Sequence, residues 1–253
     1  MQDAESIFEA ELRKRSVAFS GPDSDGLYKV QTERGELTVS LDNISRNHER
    51  DGDPESVVRF VDQVLSTFVL PTWDRAQSLV YFSAEPSDHD FGETVRRPVS
   101  DGVAKVLVLT DLKEGKITWL TPADLAKWNV SQDQIEQAAS GNLSRLLDDK
   151  RLEVEEIDGM KLAMVPVESV FKASVIFASD FKSFVTNQLE WPVLVVIPCR
   201  DFIYVLSEKD KALLNRMGAV VQREYRESGY PITTEVLRIS DEGIKAIGEF
   251  PKK

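Results

Sequence analysis

The sequence predicts an α+β fold in which antiparallel hairpins alternate with helices that cover the sheet. Short runs with the two-residue alternation of half-buried strands occur in neighbouring pairs, joined by turn residues such as Asp158-Gly159. The segments between the pairs carry apolar residues at helical spacing and begin at typical cap residues. Strands joined by tight turns run antiparallel, which excludes a doubly wound nucleotide fold, where single strands alternate with helices.

The first part of the chain is predicted to hold one hairpin between helices. Gly21 and Pro22 end the first helical pattern, and a polar stretch at residues 42–53 follows the hairpin. Asp53 followed by Pro54 is the pattern of a helix N-cap and a first helical position. The predicted elements are a helix over residues 4–17, strands at 27–32 and 36–41 joined by Glu33-Arg34-Gly35, and a helix that begins at Pro54.

A polar segment over residues 85–102 is predicted to be a domain boundary or a mobile loop. It follows a predicted strand at 79–83 and precedes the next hairpin. We therefore predict two α+β subdomains, one over residues 1–98 and one over residues 99–253.

The order of hairpin followed by helix then recurs along the chain, but the amino-acid sequence itself does not repeat. Thr121 before Pro122 and Ser131 before a long apolar stripe are signals for helix starts, and Ser207 is a third. The predicted hairpins pair residues 103–109 with 116–120, 152–157 with 161–165, 193–197 with 202–206, and 235–239 with 243–247. The predicted helices start at Pro122, run from 131 to 147 and from 168 to 189, and run from 207 to 226.

The charge balance argues against two classes of partner. The 253 residues carry 43 acidic and 31 basic side chains, for a net charge of -12. Such a balance disfavours both the phosphate backbone of nucleic acids and anionic membranes, which bind clustered lysine and arginine. A basic helix face formed by Lys209, Arg216, Arg223 and Arg226 is interpreted as a solvated surface, because the chain as a whole is acidic.

The cysteine count and the first residues indicate a cytoplasmic protein. One cysteine, Cys199, allows no intramolecular disulfide, which is typical of a reducing compartment. The stretch MQDAESIFEAELRKR is acidic and lacks the basic start and apolar core of a signal peptide. No apolar run approaches the length of a membrane-spanning helix.

Several stretches resemble a known family. These are LTVSLDNISRN at residues 37–47, LTPADLAKWNVSQDQIEQAASGNLSRLL at 120–147, VIPCRDFIYVL at 196–206 and YPITTEVLRIS at 230–240. Together they look like the YtpQ-like family of uncharacterised bacterial cytosolic proteins. The resemblance implies a bacterial cytosolic location and a mixed α/β architecture, and it supplies no catalytic residues. It picks out Trp128, Asn142, Arg200 and Asp201 as candidate binding positions.

Two local clusters contain side chains that could bind a metal or act as a nucleophile. His89 lies between Asp88 and Asp90, which together offer imidazole and carboxylate atoms to a metal, although their spacing matches no known metal motif. Cys199 neighbours a cation, but a cysteine nucleophile needs a base, and both histidines are distant in sequence. We interpret the first cluster as a solvated loop and Cys199 as a small core or turn residue. Glycine-rich phosphate loops are absent, and no cofactor is expected.

Three functional hypotheses remain. The leading one is a non-catalytic protein-binding or assembly factor. The second is a metal-assisted hydrolase that uses Asp88, His89 and Asp90 with Arg200 as an anion clamp. The third is a small anionic-ligand binder near Arg200, between the two subdomains, and a cleft lined by Trp73, Trp128 and Arg200 would favour it. The sequence leaves open whether any catalysis occurs, which partner protein is bound and what the oligomeric state is.

The adjacent charges Arg200 and Asp201 allow two interpretations of the corner in which they lie. The favoured one is that they pair and close the turn internally. The other is that the guanidinium stays available to an anionic partner.

Overall fold

The structure is a computed structural model that describes residues 3–32, 35–65, 70–111 and 116–252. Within these ranges it contains α-helices and three antiparallel sheets, which confirms the predicted α+β class. The chain forms two compact units, Met1–Leu70 and Pro71–Lys253. The predicted division at residue 98 differs from this one, because residues 96–98 pair within a sheet of the second unit.

The first unit packs three helices against a small sheet. Its core contains Phe8 and Leu12 from the first helix, Tyr28 from the sheet and Val61 from the third helix, and the Tyr28 hydroxyl donates to the carboxylates of the first helix. The elements are α1 (Ala4–Lys14), β1 (Phe19–Ser20), β2 (Leu27–Thr32), β3 (Gly35–Ser40), α2 (Asp42–Asp51) and α3 (Pro54–Leu65). Of the predicted turn between β2 and β3, Glu33 and Arg34 lie outside the described residues.

Helix α2 occupies the stretch that the sequence left as a polar connection. His48 on this helix is 2% exposed, and its ring Nδ1 donates to the carbonyl oxygen of Asp53 at 3.1 Å. Gly52 ends the helix in the left-handed conformation, with φ 65°. With few apolar residues to show a helical period, α2 depends on contacts that local patterning does not reveal.

The second unit begins with a four-stranded sheet and the helices beside it. Strand β6 lies between β4 and β5 and also pairs with β7. The side chains of Thr121 and Ser131 form the predicted caps of α5 and α6, each within a full capping box. The elements are α4 (Trp73–Ala76), β4 (Val80–Pro86), β5 (Arg96–Pro98), β6 (Val103–Asp111), β7 (Lys116–Trp119), α5 (Pro122–Trp128) and α6 (Gln132–Arg145).

A six-stranded antiparallel sheet completes the second unit. Its strand order is β13-β12-β10-β11-β9-β8, and Asp158 and Gly159 take the positive φ angles that the β8–β9 turn requires. Helix α8 packs Met217 and Val221 onto one face of this sheet. The elements are β8 (Glu153–Ile157), β9 (Met160–Met164), α7 (Phe181–Thr186), β10 (Val193–Cys199), β11 (Phe202–Ser207), α8 (Leu214–Glu227), β12 (Glu235–Ser240) and β13 (Gly243–Glu249).

The helix predicted over residues 168–189 is wrong. The structure has a 3-10 helix at Ala173–Phe177 and the short helix α7 instead. Ala173 to Ile176 are four consecutive buried residues, and a long surface helix cannot bury four residues in a row. Ser207 also differs from its prediction: a 3-10 helix at Glu208–Leu213 precedes α8, and the serine hydroxyl bonds to the backbone of Glu190 instead.

One carboxylate joins the two sheets of the second unit. Glu235 at the start of β12 is 7% exposed, and it accepts hydrogen bonds from the Ser100 hydroxyl and, at 3.1 Å, from the amide of Gly102. A Cβ atom placed on Gly102 would lie 2.5 Å from Thr233 Oγ1 and 2.8 Å from Glu235 Oε2. The absence of a side chain at residue 102 is therefore what allows the carboxylate to reach the loop.

We expect Gly102→Ala to destabilise the protein by about 1–3 kcal/mol, because the added methyl group overpacks the site and displaces Glu235. Gly141→Ala is the matched control, since its Cβ meets nothing within 4 Å inside helix α6. That variant should gain up to about 1 kcal/mol from helix propensity. Urea denaturation of both variants measures the two effects, and an unchanged stability of Gly102→Ala would contradict the role given to this glycine.

Candidate functional site

The turn between β10 and β11 is held by backbone hydrogen bonds from two other segments. Cys199 and Phe202 are paired, so Arg200 and Asp201 form the two-residue connection. The amide of Arg200 donates to the Tyr230 carbonyl at 3.1 Å, and the amide of Ala173 donates to the Arg200 carbonyl at 3.2 Å. The backbone of this turn is therefore fixed on both sides.

The guanidinium of Arg200 contacts an aromatic ring. Its central carbon is 3.7 Å from the centroid of the Tyr230 ring, and Tyr230 is 39% exposed. Among the described residues, Arg200 forms no ion pair with Asp201 or with any other carboxylate. The interpretation that the two charges close the turn on each other is therefore wrong. We call Arg200, Asp201 and Tyr230 the Arg200 corner.

A mostly buried carboxyl group lies near the Arg200 corner. Glu85, at the end of β4, accepts a hydrogen bond from the Ser83 hydroxyl at 2.5 Å. Burial raises the pKa of Glu85, while the Ser83 hydrogen bond and the charges of Arg200 and His89 act in the opposite direction. The charges of Arg200 and His89 thus both act on the Glu85 carboxyl group.

The three candidate metal ligands do not converge. His89 packs edge-on against the rings of Phe91, at 4.6 Å, and Trp119, at 5.5 Å. Asp90 accepts a hydrogen bond from the amide of Gly92, and Asp88 is exposed. Within the described ranges, no group of three or more His, Cys, Asp or Glu side chains is arranged to hold a metal ion. His89, like Asp88 and Asp90, is exposed, and its ring contacts these two aromatic side chains.

Trp128 and Asn142 fasten the start of β4. The Trp128 indole Nε1 donates to the carbonyl of Pro71 at 2.8 Å, and its ring lies 5.3 Å from that of Trp73. The buried Asn142 amide donates to the carbonyls of Gln77, at 2.9 Å, and Val80, at 2.7 Å. Val80 and Glu85 stand five residues apart on one strand, so the Asn142 contact with Val80 lies roughly 17 Å along β4 from Glu85.

The sulfur of Cys199 takes no part in the surface of the corner. The residue is 2% exposed, and burial raises the pKa of its thiol. A thiol that stays protonated is a poor nucleophile. Two arginines of α8 are also paired, Arg216 with Asp158 and Arg223 with Glu224. Lys209, in the 3-10 helix before α8, is paired with Glu190.

Sequence reasoning selected Arg200 and missed the groups around it. Tyr230 follows the corner by 30 residues and opens the stretch YPITTEVLRIS, whose resemblance to the family included it without assigning it a role. Glu85 looked like one more acid at the start of a polar segment. Its burial follows from the pairing of β4 with β6, which a single sequence does not reveal.

Comparisons with known proteins found no relative of this chain. No family model matches the chain, and neither a curated protein nor a solved structure matches it. The resemblance to the YtpQ-like family therefore stays a prediction. In the part of the chain that the structure describes, no helix is both long enough and apolar enough to cross a membrane.

We expect Glu85→Gln to become more stabilising, relative to the unchanged protein, as the pH rises. In the folded state the pKa of Glu85 is raised above 4.5. As the pH rises above 4.5, the unfolded chain therefore loses this proton before the folded protein does, and the free energy of unfolding of the unchanged protein falls. Glutamine still accepts from Ser83 and cannot ionise. The difference in Tm should therefore favour the variant more at about pH 7.5 than at about pH 4.

Glu153→Gln is the control for Glu85→Gln, because it removes an exposed carboxylate from β8. Its difference in Tm from the unchanged protein should depend on pH much less. Equal pH dependence in the two variants would show that burial of Glu85 has no energetic effect.

Proposed function

We propose that the chain is a non-catalytic binding protein that recognises a carboxylate on a partner protein through the Arg200 corner. The observation that carries the proposal is the contact of the Arg200 guanidinium with the exposed Tyr230 ring at 3.7 Å, together with the lack of an ion pair to Arg200 among the described residues. A cation–π contact with the ring does not use the guanidinium N–H donors in an ion pair, so these donors can serve a ligand.

The geometry of an arginine edge favours a carboxylate. Guanidinium and carboxylate are both planar and form two parallel hydrogen bonds, which lysine cannot form. Arginine and tyrosine are also among the residues that contribute most to binding energy at protein interfaces. An exposed tyrosine beside an available arginine therefore supports recognition of an acidic side chain or a chain terminus on another protein.

Preorganisation supports the same proposal. The backbone of Arg200 is held by hydrogen bonds to Tyr230 and Ala173, and Cys199 forms an isolated bridge with Pro231. The corner therefore loses little conformational freedom when it binds, and ordering of side chains and loops is one of the main costs of association.

Charge supports a protein partner over a nucleic acid. The net charge of -12 repels a phosphate backbone, and the basic face of α8 is mostly neutralised by its own ion pairs. One available arginine in an acidic protein can bind one carboxylate, whereas a nucleic-acid backbone is bound by clustered basic residues. Binding through this one charge should weaken only modestly with added salt.

The proposal is tested with Arg200→Lys, which keeps the charge and removes the planar fork. Arg216→Lys is the matched control, because Arg216 is an exposed arginine already paired with Asp158 at 2.7 Å. Immobilised proteins of the three kinds are incubated with lysate, and bound proteins are quantified. Partners bound by the unchanged protein and by Arg216→Lys should be lost from Arg200→Lys, with about a tenfold or greater rise in Kd in direct titration.

Tyr230 supplies a second pair of variants. Tyr230→Phe keeps the ring under the guanidinium and should keep binding, whereas Tyr230→Ala removes it and should weaken binding about as much as Arg200→Lys does. The proposal is wrong if every partner is retained equally by Arg200→Lys and Tyr230→Ala. Circular dichroism on each variant separates loss of binding from loss of folding.

A metal-assisted hydrolase, the second hypothesis from the sequence, is the alternative against which the binding proposal is tested. It is separated from the first by assays of p-nitrophenyl phosphate and p-nitrophenyl acetate with added Mg²⁺, Mn²⁺ or Zn²⁺. If the binding proposal is right, the protein should hydrolyse these substrates no faster than the buffer alone does. A faster rate that His89→Ala abolishes and Glu153→Gln leaves unchanged would establish the hydrolase instead.

A further inference from the structure

A second surface of the same unit forms a groove at the opposite end of the β10–β11 hairpin. It has a volume of about 460 Å³, which lies in the range of small-molecule sites. We call it the Lys161 groove. Its polar lining residues are Lys161, Thr186, Asn187, Gln188, Glu190, Ser207 and Lys209.

The walls of the Lys161 groove are fixed by hydrogen bonds to the backbone. The Gln188 amide donates to the carbonyl of Leu152 at 2.9 Å. The Ser207 hydroxyl donates to the carbonyl of Glu190 at 3.0 Å and accepts from its amide at 2.8 Å. These contacts tie the segment after α7 to β11, so the groove exists before any ligand arrives.

The ammonium group of Lys161 forms only one long hydrogen bond among the described residues. Its one hydrogen bond goes to the carbonyl of Gln188 at 3.4 Å, and among the described residues it forms no ion pair. Glu156 is its direct partner in the β8–β9 ladder, yet these two side chains do not pair. Because Lys161 forms no ion pair with Glu156, its ammonium group can donate hydrogen bonds to a ligand.

The charges around the groove favour an anion. Lys161 and Lys209 both line it, while Glu190 is the one acidic lining residue and is paired with Lys209. The groove thus has a positive balance on a chain whose net charge is -12. Lysine binds phosphate as a point charge, without the planar geometry that a carboxylate shares with arginine.

Neutral polar groups line the rest of the groove. Asn187 is exposed and its side-chain amide has both a donor and an acceptor to offer. The Thr186 hydroxyl donates to the carbonyl of Ser183 at 3.3 Å and keeps lone pairs that can accept a hydrogen bond. Such groups match hydroxyl groups on a ligand. We infer that the Lys161 groove binds a small phosphorylated polyol, with its phosphate at Lys161 and its hydroxyl groups at Asn187.

The inference is tested with two probes, inorganic phosphate and glycerol 3-phosphate, at constant ionic strength. Two-dimensional ¹H–¹⁵N NMR follows the amides of the groove during titration of the full chain. Both probes should give saturable shifts at residues 186–190, and glycerol 3-phosphate should bind more tightly because its hydroxyl groups add contacts. Glycerol alone should produce no saturable shift.

Three variants separate the parts of the site. Lys161→Gln should weaken both probes by about tenfold, because it removes a charge-assisted hydrogen bond. Asn187→Ala should leave phosphate unchanged and abolish only the advantage of glycerol 3-phosphate. Lys245→Gln is the control, since it removes an exposed lysine from β13, at the far edge of the same sheet.

Two results would overturn the inference. One is a set of shifts that rise linearly without saturation, which would mean that phosphate acts only through the general ionic environment. The other is equal affinity of Lys161→Gln, Lys245→Gln and the unchanged protein, which would place the anion elsewhere. The spectrum of each variant before titration shows whether the fold is intact.

Discussion

The burial of strand β10 along its whole length is the constraint on which the second unit depends. All seven residues from Val193 to Cys199 are buried, and the strand is paired on both sides, with β11 and β12. Each fully buried apolar side chain of this kind contributes about 1.5–3 kcal/mol from removal from water. Both faces of the strand must therefore be covered, and helix α8 covers the face that carries Leu194 and Val196.

The position of the Arg200 corner follows from this constraint. Cys199 is still buried, so Arg200 is the first residue after the strand whose side chain can reach solvent. Its backbone is held by the same packed elements, which gives a surface arginine the fixed placement of a core residue. The backbone at Arg200 is therefore positioned by the packed interior of the unit.

Local chemistry made most of the strands and caps predictable. The Asp158-Gly159 turn and the capping boxes at Thr121 and Ser131 depend on residues within four positions of one another, and the structure has each of them as expected. Helix α2 and the buried 3-10 helix at Ala173–Phe177 depend on distant contacts, and the sequence pattern missed both. The candidate site divides in the same way, because Arg200 could be selected from its motif whereas Tyr230 and Glu85 reach it only through the fold.

The edges of the six-stranded sheet are poor surfaces for further strand pairing. The outer strand β8 carries Glu153, Glu155 and Glu156, so a second copy of this edge would meet like charges. The other outer strand, β13, has an irregular register opposite Val236 and Leu237 and carries Lys245, two devices that discourage edge pairing. Interactions of this unit are therefore directed to surfaces made of side chains, which is where the Arg200 corner and the Lys161 groove both lie.

The two surfaces lie at opposite ends of one hairpin. Arg200 stands at its tip, whereas Ser207, paired with Val193, lines the groove at its base. Six residues of extended strand separate them by roughly 20 Å. Substitutions at this distance, without shared contacts, act additively on stability and binding. The two proposed sites can therefore be tested separately, and a variant of one serves as a control for the other.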